Sequence, residues 1–256
     1  MLIKTTGIVL RRAKQKESDL SVQLLDEDGA LIELYMHGIR ASKSRSQLLA
    51  EPGTLIRCEY YQKDERGGSF REGAILDRFD ELKGDYTGTL VLSYLLEMIG
   101  LAARGGPMPE NYQLLNGAME HLRGSPAGTG PARGLFHLRL LAFFKVRLLR
   151  ILGLMGDCEH CEICGNPLGE RAGWNVPEVS FRCRRHAEEH SREEAWMAVF
   201  LTRAAVTRFD PLLAWIGQDS PPLEVWRRMD EWLSRCLEHY FATPSTVSMQ
   251  LYKQLF

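Results

Sequence analysis

Six cysteines among 256 residues are too few to staple a secreted fold with disulfides, and three of them crowd into positions 158–164. Such clustering suits a metal site in a reducing compartment. A surplus of charge of one sign is missing as well: 32 basic residues stand against 33 acidic ones. A uniformly basic nucleic-acid coat is thereby excluded, although a local basic face is not. No stretch reaches the roughly 18 uninterrupted apolar residues of a membrane span. The opening MLIKTTGIVLRR is charged and alternating, unlike the apolar centre of a signal peptide. Internal repeats and long low-complexity tracts are also lacking. A content of 45% hydrophobic and 25% charged residues is an ordinary globular balance. A soluble, cytoplasmic protein is expected, with one large or two to three small domains at roughly 100–200 residues each.

The chain changes texture near residue 80. Before it, apolar and polar positions alternate through Ile3–Arg11, Ser21–Leu25, Leu31–Met36, Leu55–Tyr61 and Glu72–Phe79. Turn formers separate these segments at Asp28-Gly29, Glu51-Pro52-Gly53 and Arg66-Gly67-Gly68. Five short strands in so little chain predict a small closed barrel, because a small open sheet leaves costly edges. An SH3-like barrel or a small sandwich has the same periodicity. After it, helical spacing predicts helices over Thr87–Ala103, Asn111–Arg123, Gly134–Gly153, Glu193–Thr207 and Glu224–Phe241. The segment FHLRLLAFFKVRLLRILG is too apolar for a helix wet along half its circumference, and is expected at the centre of the second domain.

Residues 157–190 break the helical period and carry the cysteines. Cys161-Glu-Ile-Cys164-Gly165 is followed, with 18 residues between Cys164 and Cys183, by Cys183-Arg-Arg-His186. A C-x2-C knuckle brings two thiolates to one ion, and a second knuckle after about 15–20 residues completes a tetrahedral structural zinc site. Cys161, Cys164, Cys183 and His186 are the expected ligands of one structural Zn2+. Cys158 could instead pair with Cys161, and His160 or His190 could take the fourth position. A rival pattern, His186-Ala-Glu-Glu189-His190, matches the H-x-x-E-H motif of inverted zinc peptidases, with Glu189 as general base. Thiolates crowding the same ion would fill the open position that such catalysis needs. Cys58 and Cys236 stand alone and read as buried small hydrophobes.

Two stretches lack acids. Between Glu33 and Glu51 the chain reads His37-Gly-Ile-Arg40-Ala-Ser-Lys43-Ser-Arg45-Ser, a loop between the third and fourth strands. Spaced cations among hydroxyl residues can neutralise phosphates, and small barrels bind single strands along grooves of this kind. Arg11, Arg12, Lys14 and Lys16 add charge at the end of the first strand. The second stretch, His121 to Gly156, holds Arg139, Arg147 and Arg150 in the apolar helix, where cations snorkelling from a core are the competing reading. Tyr35, Tyr60 and Tyr61 are stacking candidates on the barrel. Trp196, Trp215, Trp226 and Trp232 read as helical core.

The opening IKTTGIVLRRAKQKESDLSVQLLDEDGALIELYMHGIRASKSRSQLL resembles the bacterial RecO family of DNA repair proteins. The first strand, the turn over DEDG and the loop GIRASKSR carry the likeness. FFKVRLLRILGLMGDCEHCEICG resembles that family's central helix running into its zinc knuckle, with His186 standing where a cysteine is common. The resemblance implies an α+β multi-domain protein: an N-terminal OB-fold barrel over residues 1–80, then an all-α domain carrying a zinc module. The helical domain would comprise residues 81–156 and 191–256, and the module residues 157–190. It further implies a non-enzymatic recombination mediator that binds single- and double-stranded DNA and anneals complementary strands. The implied partners are RecR and single-stranded-DNA-binding protein, with no membrane. Arg40, Lys43 and Arg45 are the first candidates for DNA contact, then Arg11 and Arg12, then Arg139, Arg147 and Arg150. A zinc-stabilised protein-interaction scaffold without DNA binding is the alternative.

Overall fold

Alternation in the first 80 residues resolves into five strands in a computed structural model: β1 (Leu2–Lys14), β2 (Leu20–Asp26), β3 (Leu31–Met36), β4 (Leu55–Asp64) and β5 (Gly67–Asp77). The structure describes residues 1–42, 46–64, 67–126, 128, 130–175, 179–218 and 220–242. The strands close in the order β1-β2-β3-β5-β4, with β4 pairing back onto β1. Only the β3–β5 contact is parallel among these pairs. This is an OB-like barrel, and closure leaves no sheet edge to cover. Its inward side chains include Val9, Val22, Leu24, Leu34, Met36, Ile56 and Phe70, with Leu49 and Ala50 of a short 3-10 helix packed among them.

Register shifts between Val9 and Arg11, which gives β1 the bend it needs to serve both β2 and β4. The fifth strand starts at Gly67, ahead of the expected Glu72. Gly67 and Gly68 are not a turn but strand residues under close neighbours: a Cβ on Gly68 would stand 2.0 Å from the Tyr61 carbonyl oxygen. Gly29, at φ +77° in the β2–β3 turn, is similarly pressed on the backbone of Met108.

The chain separates after Gly124 into two compact units. The first adds to the barrel the helices α1 (Asp80–Lys83), α2 (Tyr86–Ala102) and α3 (Pro109–Arg123). Asp85 caps α2, accepting a hydrogen bond from the Gly88 amide. The stretch 86–105 is apolar and long enough to cross a membrane, yet 67% of an 18-residue window within it is buried in the protein, as in a core helix. Arg123 ties α3 to the end of β5, donating to Asp77 at 2.6 Å and lying 4.4 Å from the centre of the Phe79 ring.

The second unit contains α4 (Pro131–Ile151), β6 (Ala172–Asn175), β7 (Ser180–Cys183), α5 (Arg192–Val206), α6 (Phe209–Gln218) and α7 (Leu223–Phe241). As its composition requires, α4 is central and packs against α5, α6 and α7. Within it Lys145 is fully buried, its ammonium donating to Asp230 at 2.5 Å and to Ser234 Oγ at 2.8 Å. A buried ammonium needs such partners, since desolvation would otherwise cost several kcal/mol.

Candidate metal centre and nucleic-acid interface

An Asx turn opens the cysteine-bearing module: Asp157 accepts from the amides of Glu159 and His160. The chain then folds back, with the Cys161 amide donating to Asn166 and the Gly165 amide to Cys161. Gly165 sits at φ +69°, a conformation that favours glycine. On the opposing knuckle the amides of His186 and Ala187 both return to the Cys183 carbonyl. These two turns bring one donor atom each of Cys161, Cys164, Cys183 and His186 within 4.8 Å of one another.

The separations have a chemical meaning. Cys164 and Cys183 sulfurs stand 3.9 Å apart, and His186 Nδ1 lies 3.5 Å from the sulfurs of both Cys161 and Cys183. Metal–sulfur bonds of about 2.3 Å and metal–nitrogen bonds of about 2.0–2.1 Å place tetrahedral donors about 3.5–3.8 Å apart. The four residues are therefore positioned to bind a metal. Burial opposes the Cys161 thiolate, but the amides of Cys183, Cys164 and Ile163 and the ring of His186 outweigh it and bring the pKa down to about 6. The alternatives separate from this cluster. Cys158 is buried with its pKa pushed up to about 12 by desolvation, and His160 Nδ1 pairs with Asp157 at 2.8 Å. His190 is not in the cluster among the described residues, which leaves the peptidase pattern without its second histidine.

Outside the cluster, two features fix the module. Glu162 accepts from Ser180, Asn175 and Arg182, which ties the first knuckle to the β6–β7 hairpin. Trp174 stacks on Trp232 of α7 at 4.7 Å, and Phe181 meets the same ring edge-on at 5.7 Å. The spacing of the cysteines announced the ligands; nothing in the sequence announced Glu162 or the pairing of Trp174 with Trp232.

On the barrel, Asp19 holds the basic loop. Its Oδ1 accepts from the Gly38 amide at 2.7 Å and its Oδ2 faces His37 Nδ1 at 3.4 Å. The Gly38 N–H, then the His37 ring, hold this carboxylate below its ordinary pKa. Arg40 donates from its amide to Ser18 O and from its guanidinium to Glu17 O, and meets no carboxylate among the described residues. Lys43 and Arg45 lie outside the described residues. Arg11 and Arg12 are exposed and line one cleft with Arg104, which in sequence is only part of a helix breaker. Of the three tyrosines, Tyr60 is core. Tyr35 and Tyr61 are 39% and 52% exposed. Both are in register with Ser69 of β5, and Lys63 stands 5.7 Å from the centre of the Tyr35 ring.

The arginines of α4 have other work. Arg147 donates to the carbonyls of Ala205 and Thr207 at 2.7 Å each, and Arg150 also donates to Ala205. Both thus serve the carbonyls left open at the C-terminal end of α5. Arg139 donates to Ser220 Oγ at 2.7 Å and lies 5.6 Å from the centre of the Trp226 ring; burial draws its pKa down. The snorkelling reading describes these three better than a phosphate-facing row.

An OB-like barrel followed by a helical unit with a Cys3His set positioned to bind a metal defines the class of protein. Residues 1–79 match the family model for the N-terminal part of recombination protein O, and residues 83–245 match the model for its C-terminal part. The chain is 33% identical over 184 residues to the DNA repair protein RecO of Leptospira biflexa, covering 70% of each chain. It is 31% identical over 173 residues to that of Anaeromyxobacter sp. strain K, covering 66% of this chain and 63% of the relative. With that of Anaeromyxobacter sp. strain Fw109-5 the identity is 28% over 245 residues, or 93% and 91% of the two chains. The protein belongs to the RecO family of DNA repair proteins.

Proposed function

We propose that this protein is a non-enzymatic recombination mediator of the cytoplasm. It binds single- and double-stranded DNA by their phosphates and anneals complementary strands, acting with RecR and with single-stranded-DNA-binding protein. The observation that carries the reading is the Arg40 loop, held against the 15–19 turn by Asp19 and presenting its guanidinium without a carboxylate partner among the described residues. Lys43 and Arg45 extend that loop in sequence, and Arg11, Arg12 and Arg104 add cations on the same unit. Tyr35 and Tyr61 offer ring faces to unpaired bases, which stack on aromatics with little regard to sequence.

The mechanism is electrostatic. Cations bound to phosphates screen the repulsion between two strands while their bases find partners. Phosphate contacts carry no sequence information, so binding is sequence-independent and falls with salt. A near-neutral total charge is compatible with this, because screening confines fields to about 8–10 Å at physiological salt. Zinc is the metal that suits a Cys3His set. It would brace the 157–190 segment, and four protein donors leave no position open for a substrate.

Annealing of complementary oligonucleotides, with and without the coating protein, tests the proposal on a sample whose zinc content is measured. Accelerated annealing is expected. No acceleration and no salt-sensitive DNA affinity would instead favour a scaffold that binds only proteins.

A further inference from the structure

We propose that the arginines around the second metal knuckle form a phosphate-binding surface of their own, separate from the barrel loop, which grips the backbone of a nucleic-acid strand. The inference rests on the DNA-binding reading above and adds a site in the second unit.

Arg184 and Arg185 occupy the turn between Cys183 and His186, and both are exposed. Backbone bonds from His186 and Ala187 to Cys183 close that turn, so the guanidinium groups are not needed to form it. They line one open concavity with Arg171, before β6, and Arg192, the first residue of α5; Asn166 and Glu170 complete its polar rim. Glu170 is the one carboxylate in that lining. It reaches Arg192 at 3.9 Å with both side chains more than 70% exposed, a pair worth little in water. Glu188, Glu189 and Glu193 do not line the concavity, although Glu193 is near enough to feel the charge of Arg171. Arg171, Arg184 and Arg185 make no ion pair among the described residues, whereas Arg182, one residue before the knuckle, is bound to Glu162.

The backbone bonds of the turn do not require this crowding. Like charges repel, and Arg192 faces the positive end of the α5 dipole, where a cation is unfavourable. Local departures of this kind are expected at functional surfaces. An anion bound there relieves both costs, and planar guanidinium forks match phosphate oxygens in pairs. None of the exposed large apolar side chains lines the concavity, so it lacks the anchor pocket that an acidic-apolar peptide would use. A strand's phosphates fit it better.

The rival role for these arginines is to offset the negative charge of three thiolates on one divalent ion. The test compares R184A/R185A with the parent protein in zinc content, annealing rate and affinity for a labelled single strand across a salt series. Loss of two contacts predicts a salt slope shallower by about 1.4, and at 0.1 M salt an affinity about 25-fold lower, from 0.7 log units per single-strand phosphate. R184K/R185K is expected to keep the slope. R171A/R192A, which leaves the knuckle intact, is expected to lower it in the same sense and covers the case in which R184A/R185A loses metal. Unchanged slope and affinity in R184A/R185A and R171A/R192A overturn the inference, whether or not metal is retained. It is overturned equally if DNA binding is unchanged while binding of an acidic protein partner is lost. If the parent protein itself shows no salt-dependent DNA affinity, the proposed function fails first; if the parent binds and only these variants are silent, this inference alone fails.

Discussion

Trp232→Ala separates the anchoring of the metal module from the binding of its ion. Trp232 is 2% exposed and receives both Trp174 and Phe181 of the β6–β7 hairpin, while none of its atoms belongs to the Cys3His set. Truncating a buried tryptophan costs about 3–5 kcal/mol, within which each ring pair contributes about 0.5–1.5 kcal/mol. For a unit of this size a kcal/mol moves the melting temperature by about 3–5 °C, so a fall of roughly 10–20 °C is expected. Metal content should stay near one equivalent when the protein is purified with zinc. Calorimetry on the full chain, with metal analysis of the same sample, reads both. Trp232→Phe should recover much of the loss, since Nε1 makes no hydrogen bond among the described residues. A shift of less than about 2 °C in Trp232→Ala would refute the reasoning, because the hairpin would then be held by its ion and not by α7.

Other outcomes follow from the same geometry. Cys161→Ser or Cys183→Ser lowers zinc content and melting temperature, whereas Glu189→Gln changes neither; metal analysis and thermal unfolding check this. Asp230→Ala strands the Lys145 ammonium in the core and costs about 3–5 kcal/mol in denaturant unfolding. Asp19→Ala frees the 37–40 loop and is expected to reduce the salt slope of single-strand binding in the same direction as Arg40→Ala, by about 0.7. Because the Asp19 pKa is lowered in the fold, its hold on the loop is complete above the ordinary value of 3.8 and is lost as pH falls through the lowered one. An acid titration followed at the Gly38 amide by NMR reads that loss.

Much of the fold was legible because periodicity and burial agree. The alternation through Leu31–Met36 matched its strand residue for residue. The Cys161–His186 spacing found a donor set that the turns at Gly165 and Ala187 then closed. What escaped reading depends on contacts between distant positions. Gly67 and Gly68 look like a turn in sequence, and only the approach of Glu33 and Tyr61 makes them strand. The four-residue strands β6 and β7 are too short for a period to show. Arg147 and Arg150 look like a basic stripe until the open carbonyls at the end of α5 are placed beside them. Arg104 gains meaning from sharing a cleft with Arg11 and Arg12.

The most direct measurement is the affinity of the full chain for a labelled oligonucleotide from 50 to 200 mM salt, with Arg40, Lys43 and Arg45 present and then replaced together by alanine. Affinity that drops with salt in the native protein, and a slope shallower by about 2 in the triple variant, is the predicted result. A slope that is flat in the native protein, or identical in both, would contradict the assignment of this loop to the nucleic-acid backbone.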